Sequence, residues 1–323
     1  MAGQIIVAYG GDSQCLYSYD FSTLTYTLMI SQVAEYEPAG KNLFISPSQE
    51  YLYYDRRRSL EKEEVFLYKL SDGEIRRVDF RESIGGYPLM WMADGQCLAT
   101  FSSKDGGMIA YRIVDGTFQR RPVDLRYPSP GGRWWAFECE GRICIRDVAG
   151  NQILNEALRL PAKTDAEGHD LRFGSIKWSP NGSMLAFAYS TKHFLNQDML
   201  RIIHVEQDSI TSFQDVQMQS ISNLQWSPDG KQILIADSNG EKLHVYDVEQ
   251  NTLIEIPMPK PYSSEVPPIW SPMDKQIAFV TTDRQSIYTM STDDTNIIQL
   301  PPLPKETVCL GSYNRLTQMH WIP

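Results

Sequence analysis

The chain is organised as short runs of alternating apolar and polar residues that are separated by turn-forming residues. Between residues 223 and 256, four such runs follow one another: Asn223–Trp226, Ile233–Ala236, Leu243–Asp247 and Leu253–Ile256. Pro, Asp, Asn and Gly lie between the runs, which is typical of hairpin turns. Apolar and polar residues that alternate over four or five positions indicate strands. This stretch therefore predicts a four-stranded antiparallel sheet, whose strands we call A to D in chain order.

The same pattern recurs along the chain, and each copy begins with a related motif. The full motif is Trp178-Ser179-Pro180-Asn181-Gly182, Trp226-Ser227-Pro228-Asp229-Gly230 or Trp270-Ser271-Pro272-Met273-Asp274, with weaker copies that begin at Ile45, Trp91 and Pro128 and a last fragment at Trp321. The first residues of successive copies are 37 to 51 positions apart. Propeller blades, each a four-stranded antiparallel sheet, repeat at about 40 to 50 residues.

The two ends of the chain complete each other in this pattern. Gln318–Trp321 has the pattern of a strand A with nothing after it, whereas Ile5–Tyr9, Cys15–Tyr19 and Tyr26–Ile30 have the pattern of strands B, C and D. The sequence therefore predicts an all-β, seven-bladed β-propeller in one domain, 1–323, with its ring closed by a blade shared between the N- and C-termini. The predicted blades are 318–323 with 1–30, 41–80, 87–123, 125–157, 174–214, 221–257 and 267–300.

The run from Trp226 to Ile235 resembles the WD40-like repeat of TolB-type propellers and of the propeller domains of prolyl oligopeptidase and dipeptidyl peptidase relatives. The resemblance extends over essentially the whole chain and is strongest from 175 to 300. It implies the fold and leaves the function open, because one fold hosts unrelated activities. The peptidases act through a separate hydrolase domain, and this sequence has no Gly-x-Ser-x-Gly motif, so we expect no stand-alone serine peptidase.

Charge and composition narrow the classes of partner. There are 30 Lys and Arg against 40 Asp and Glu, a formal charge of −10, which disfavours nucleic acid as a general partner. No apolar run approaches the ~18 residues of a membrane span, and Met1–Val7 lacks the features of a secretory signal. These features predict a soluble, cytoplasmic protein without membrane insertion. Five cysteines without metal-like spacing predict reduced thiols, although Cys139 and Cys144 flank a tight turn and could face each other.

Recognisable catalytic or ligand-binding chemistry is scarce in the sequence. Asp165, Glu167, His169 and Asp170 form one compact cluster of potential ligands, but their spacing is not that of a calcium loop. There is no Gly-x-Gly-x-x-Gly, P-loop or His-Glu-x-x-His motif. We therefore predict no cofactor, no metal and no catalytic residue.

The long, irregular connections between strands fall mostly in the B–C turns and the D–A connections, which open on one face of a propeller. Binding residues concentrate on such variable loops, so this loop-rich face is predicted to bind, although each connection could equally be a solvated linker. The candidate partner-binding residues are Arg56, Arg57, Arg58, His169, His193, Phe194, Tyr262, Tyr313 and Arg315.

Three functions remain open at this point. The first is a non-enzymatic scaffold that binds a protein or peptide through the loop-rich face and the channel mouth. The second is a small-molecule hydrolase or lyase whose site is assembled from several blades. The third is a ligand-sensing domain of a larger assembly. Convergent ionisable groups in a deep pocket would favour the second, and an exposed aromatic patch would favour the first.

Overall fold

The structure is a computed structural model. It describes residues 3–10, 14–31, 44–59, 62–78, 90–92, 95–101, 108–121, 127–130, 133–139, 142–147, 171–191, 198–206, 209–258, 261–272, 275–292, 296–304 and 315–323. Two compact units are present, Met1–Val123 with Glu265–Pro323, and Asp124–Ser264.

The first unit contains four antiparallel sheets, each of four strands. Blade 1 orders its strands β27 (Arg315–Ile322), β1 (Gln4–Gly10), β2 (Gln14–Asp20) and β3 (Thr25–Ile30). Blade 2 consists of β4 (Phe44–Ile45), β5 (Tyr51–Ser59), β6 (Lys62–Lys69) and β7 (Ile75–Val78). Blade 3 consists of β8 (Met90–Trp91), β9 (Cys97–Phe101), β10 (Met108–Arg112) and β11 (Phe118–Arg121). Blade 7 consists of β23 (Ile269–Trp270), β24 (Gln276–Val280), β25 (Ile287–Ser291) and β26 (Ile297–Gln299).

The second unit contains three antiparallel sheets. Blade 4 has three described strands, β12 (Tyr127–Pro128), β13 (Trp134–Cys139) and β14 (Arg142–Asp147). Blade 5 consists of β15 (Leu171–Trp178), β16 (Met184–Thr191), β17 (Asp198–Glu206) and β18 (Ser209–Met218). Blade 6 consists of β19 (Asn223–Trp226), β20 (Gln232–Ala236), β21 (Leu243–Asp247) and β22 (Thr252–Ile256).

These sheets confirm the predicted fold class, an all-β seven-bladed β-propeller. Within the described ranges every regular element is a strand, and no helix is long and apolar enough to cross a membrane. Buried clusters lie between consecutive blades, for example between blades 5 and 6, where Ile202 and Leu224 are completely buried. The hydrophobic core is therefore divided among the interfaces between blades. The boundaries of a single domain, 1–323, stay a prediction.

The predicted terminal blade is confirmed. Strand β27 pairs antiparallel with β1, so that Trp321 lies opposite Ile5 and Met319 lies opposite Val7. The Trp321 ring stacks on Phe21, with 5.1 Å between ring centroids. The last strand of the chain thus covers the edge of the first, and no edge of β1 is left open for pairing with another chain.

The serine of the Trp-Ser-Pro motif caps the turn between strands A and B. In blade 6 the Ser227 hydroxyl donates to Asp229 at 2.6 Å and accepts from the Gln232 amide at 2.9 Å. The weaker copy at Ile45 has the equivalent hydrogen bond, in which the Ser46 hydroxyl accepts from the Tyr51 amide at 3.1 Å. Gly230 adopts a φ of +71°, which is the left-handed conformation that this turn requires.

The tryptophan of the motif joins neighbouring blades. The Trp226 indole N–H donates to the carbonyl of Lys177 in the preceding strand A at 3.0 Å, and Trp178 donates in the same way to Tyr127 at 2.9 Å. Trp91 makes the equivalent bond to Phe44 at 2.9 Å. A buried indole needs a hydrogen-bond acceptor, and the repeat supplies one in the adjacent blade.

The prediction of reduced thiols is wrong for two of the five cysteines. Cys15 in β2 and Cys144 in β14 each take part in a disulfide, whereas Cys97 takes part in none. The spacing of Cys139 and Cys144 around a turn marked Cys144 as a candidate, but nothing in the sequence marked Cys15, because bonding depends on which side chains the sheets bring together. Disulfides persist mainly in oxidising compartments, so the cysteines no longer support the cytoplasmic location, which stays a prediction.

Candidate functional site

Four of the nine predicted binding residues lie outside the described part of the chain. They are His169, His193, Phe194 and Tyr313. Their predicted role stays a prediction. The same holds for the cluster of potential ligands from Asp165 to Asp170.

The four predicted arginines lie on strands and not in loops. Arg56, Arg57 and Arg58 belong to β5, where Arg56 lies opposite Glu64 and Arg57 lies opposite Glu63 in β6. Opposite charges directly across two strands favour pairing, which explains why the hairpin continues to Ser59. Arg315 is the first residue of β27 and lies opposite Gly10. The expectation that Arg56, Arg57 and Arg58 lie in a loop is therefore wrong, because β5 extends to Ser59.

Tyr262 requires a correction, because it does not supply an exposed aromatic ring. Only 1% of its surface is exposed. Its hydroxyl donates to the Asp237 side chain at 3.0 Å and lies 2.9 Å from the Lys242 carbonyl, an alternative acceptor. Burial, with the Asp237 carboxylate as a second cause, raises the pKa of Tyr262, so the hydroxyl stays protonated as a donor. The sequence placed Tyr262 in a connection on the loop-rich face, but the Asp237 and Lys242 acceptors on the B–C turn of blade 6 hold its ring inside.

These contacts define the Tyr262 patch, which consists of Asp237, Gly240, Lys242 and Tyr262. The Tyr262 amide donates to the Gly240 carbonyl at 2.8 Å. Gly240 has a φ of +73°, and a Cβ there would lie only 2.2 Å from the Tyr262 carbonyl oxygen. Glycine is therefore required where the D–A connection after blade 6 crosses the B–C turn. The patch also places these two kinds of connection together, as the propeller prediction expects.

The D–A connection before blade 6 joins the same surface. The Ser222 hydroxyl lies 2.8 Å from the Asp237 carbonyl, and the Ile221 amide donates to the Asp198 carboxylate at 2.6 Å. Asp198 begins strand C of blade 5, directly after the B–C segment that contains His193 and Phe194 in the sequence. Connections of two neighbouring blades are thus fixed to one another by hydrogen bonds.

The first unit also has a cluster in which a B–C turn is hydrogen-bonded to other segments of the chain. It consists of Glu265, Thr281, Arg284 and Leu316, and we call it the Arg284 patch. Arg284 lies in the B–C turn of blade 7 with a φ of +57°, and its side chain is mostly buried. Its guanidinium donates to the Glu265 carboxylate at 2.6 Å. Its carbonyl accepts from the Leu316 amide at 2.8 Å, so the D–A connection before blade 7 and the start of β27 are both tied to one turn.

The sequence does not identify Asp237 and Lys242 as members of the Tyr262 patch, or Glu265 and Arg284 as members of the Arg284 patch. The run Asp237-Ser238-Asn239-Gly240 indicated a turn, but nothing in it indicates the connection that lies over the turn. Among the residues that the structure describes, no group of three or more His, Cys, Asp or Glu is placed to hold a metal ion. The described geometry is that of hydrogen-bonded loops with polar side chains.

His244 in β21 carries a pH dependence that can be measured. Its Nε2 lies 3.7 Å from the Glu255 carboxylate, and its Nδ1 is buried without a hydrogen-bond partner among the described residues. Burial lowers the pKa of His244 from its ordinary 6.5. The unfolded chain therefore takes up this proton first as the pH falls. The contribution of neutral His244 to the free energy of unfolding is complete above about pH 6.5 and is lost as the pH falls through the lower folded value.

We expect His244→Gln to flatten this acid-side loss of stability. The measurement is the free energy of unfolding from urea titrations at several pH values from 8 to 5, for the wild type and the variant. Curves that run parallel over that range would show that His244 does not titrate between the folded and unfolded states.

Comparison with known proteins identifies relatives only at the level of the fold. No family model and no curated protein sequence matches the chain. The chain is similar to the β-propeller domain of Cps50 (Swd1) from Myceliophteria thermophila, with 15% identity, a TM-score of 0.55, and coverage of 82% of this chain and 87% of that one. It is similar to TolB from Acinetobacter baumannii, with 14% identity, a TM-score of 0.51, and coverage of 99% of this chain and 66% of that one.

A third similar chain comes from a structure of the mitotic checkpoint complex. It is 13% identical, with a TM-score of 0.55 and coverage of 82% of this chain and 80% of that one. Identities this low carry the fold and no activity. Together with the seven antiparallel sheets and the Trp-Ser-Pro repeat, these similarities show that the chain has the β-propeller fold of the WD40 and TolB-type proteins.

Proposed function

We propose that the protein is a non-enzymatic scaffold that binds a protein or peptide partner through the loop-rich face. The observation that carries the proposal is the Tyr262 patch, in which connections are fixed to each other by buried hydrogen bonds. A surface that is ordered before binding loses less conformational entropy when a partner arrives. The Arg284 patch gives the first unit a surface of the same construction.

The exposed side chains above the Tyr262 patch are polar. Ser238, Asn239, Glu241, Lys242 and Ser264 are all exposed. Such groups donate and accept hydrogen bonds at the rim of a protein interface, while the fixed backbone beneath them sets their positions. The predicted residues Arg56, Arg57, Arg58, His169, His193, Phe194, Tyr313 and Arg315 belong to the proposal as further partner contacts.

The similar structures agree with a role in assembly. One of them is a chain of the mitotic checkpoint complex, and another is a propeller domain taken from the larger protein Cps50 (Swd1). Rigid β scaffolds with variable connections are suited to binding, because the sheets hold the loops in place.

The proposal is tested with two matched variants of blade 6. Asn239→Arg adds one cation to the B–C turn on the loop-rich face, and Gln250→Arg adds one to the C–D turn at the other end of the blade; both positions are exposed. We expect the wild type and Gln250→Arg to capture the same protein from native lysate. The amount of that protein captured by Asn239→Arg should be at least about tenfold lower, because a misplaced charge at an interface costs roughly 1.4 kcal/mol or more of binding free energy.

A triple variant, Arg56→Ala, Arg57→Ala and Phe194→Ala, tests the residues that the sequence predicts. We expect it to lose the same captured protein while keeping the wild-type thermal midpoint. Equal capture by the wild type, Asn239→Arg and the triple variant would contradict the choice of face. A wild-type protein that captures nothing above the background of an unrelated bait would contradict the scaffold function itself.

A further inference from the structure

Strand β22 is the outer edge of blade 6 and is open on both of its faces. It is the last strand in the sheet order β19-β20-β21-β22. Thr252, Leu253, Ile254 and Glu255 are exposed in succession, and only Ile256 is buried. Ile254 is 59% exposed and Leu253 is 39% exposed. Neighbouring residues of a strand point to opposite faces, so each face of this edge carries an accessible aliphatic side chain.

The other described outer strands carry features that discourage pairing with another chain. Charged residues, short length and irregular register are the usual protections of an edge strand. Strands β7 and β11 each contain two arginines, and β26 has only three residues. The pairings of β3 with β2 and of β18 with β17 both contain a register shift.

Strand β22 lacks these protections. Its five residues pair with β21 without a register shift, from Leu243 opposite Ile256 to Asp247 opposite Thr252. Glu255 is its one charged residue. No described strand pairs with its outer edge, so the backbone N–H and C=O groups on that side are available to a further strand.

Blade 6 is also strongly acidic. Residues 221–257 contain six Asp and Glu against two Lys, in a chain whose formal charge is −10. Glu255 lies in β22 and Glu249 lies in the turn before it. Each makes an exposed ion pair with a lysine of the same blade. Exposed pairs of this kind are weak and exchange partners readily. The surroundings of the open edge therefore favour a basic partner.

We propose that β22 is a docking strand that accepts an extended, basic peptide segment of another protein as a fifth strand of blade 6. Main-chain hydrogen bonds to the open edge provide affinity, as in other cases of strand addition. On one face of the extended sheet the segment places apolar side chains against Ile254. On the other face it places lysine or arginine near Glu255, so its sequence alternates apolar and basic residues.

Strand β22 meets the Tyr262 patch at one end, where Glu255 pairs with Lys242 at 3.1 Å, and extends away from it. Strand β22 begins directly after the C–D turn that contains Glu249 and Gln250, whereas the Tyr262 patch lies at the B–C turn. A second copy of the chain is a poor occupant of this edge, because it would bring two acidic blades together. The two proposals can still fail independently, because Ile254→Lys changes the edge strand and Asn239→Arg changes the exposed B–C turn.

The test uses the full chain and a capped, fluorescent peptide of eight alternating lysine and valine residues. A matched peptide carries N-methyl groups on two consecutive central nitrogens, so that neither edge of it can donate there. Ile254→Lys blocks the proposed edge. Ile75→Lys is the matched control, because Ile75 is an exposed aliphatic residue, 51% accessible, on the outer strand of blade 2.

We expect the wild type and Ile75→Lys to bind the peptide with dissociation constants within twofold of each other, and Ile254→Lys to bind at least about tenfold more weakly. The N-methylated peptide should also bind at least about tenfold more weakly than its parent. Hydrogen exchange should slow within 252–256 when the unmethylated peptide is bound.

Three results would overturn the proposal. One is equal binding by the wild type and Ile254→Lys, and another is equal binding of the two peptides, since each would show plain charge attraction. The third is a wild-type dimer in light scattering that Ile254→Lys converts to a monomer, because the edge would then be occupied by a second copy.

Discussion

Removal of residues 318–323 should lower the thermal midpoint by at least about 10 °C, because the chain loses strand A of blade 1. The deletion removes Met319 and Trp321, which are both buried, and the pairing of β27 with Gln4–Ala8. Loss of a buried Trp alone costs about 3–5 kcal/mol, and a domain holds only about 5–15 kcal/mol in total. We expect the larger part of the protein to aggregate, because the edge of β1 then exposes an apolar strand.

The measurement is thermal unfolding by circular dichroism, with solubility after expression as a second readout. Deletion of Pro323 alone is the control, since that residue is exposed and lies beyond the last strand. A midpoint that changes by less than about 2 °C on deletion of 318–323 would show that β27 adds little to the fold.

Substitution of Trp226 should have the next largest effect, and two variants separate its contributions. Trp226→Ala leaves a cavity between blades 5 and 6 and should reduce the free energy of unfolding by about 3–5 kcal/mol. Trp226→Phe keeps most of the ring but removes the N–H that donates to the Lys177 carbonyl, so it should cost about 1–2 kcal/mol.

Urea unfolding of the two variants and the wild type measures these differences. Phe118→Ala serves as the control, because Phe118 is 46% exposed and its loss should cost no more than about 1 kcal/mol. Equal destabilisation by the two Trp226 variants would assign the whole effect to the hydrogen bond. No effect from either would refute the role of the motif in joining blades.

The sequence predicted the sheets most closely where the polar and apolar alternation is undisturbed. In blade 6 the predicted strands begin within one residue of the observed β19, β20, β21 and β22, and all four end where predicted. The prediction failed at Arg56–Arg58, where a charged run suggested a loop. There the backbone of β5 continues to pair with β6, with Arg56 opposite Glu64 and Arg57 opposite Glu63, and cross-strand partners are not visible in a single run of sequence.

The candidate site could be predicted only as a face and not as a set of residues. The predicted order of the strands within a blade places the B–C turns and the D–A connections on the same face. In the Tyr262 patch these two kinds of connection are in contact. Which side chains point outward was not predictable, because Tyr262 finds its acceptors in a turn about twenty residues earlier. Exposure is a property of contacts between distant segments, and local patterns do not contain it.

The sequence alone determined the number of blades, the position of each complete Trp-Ser-Pro turn and the completion of blade 1 by the two chain ends. These features depend on period, on turn-forming residues and on local capping by Ser227 and its equivalents, all of which act over a few residues. Only the tertiary structure decided that Cys15 and Cys144 each take part in a disulfide, that Tyr262 is buried, and that β22 is an open edge. Each of those outcomes depends on which segments meet in space, and that follows from packing between sheets.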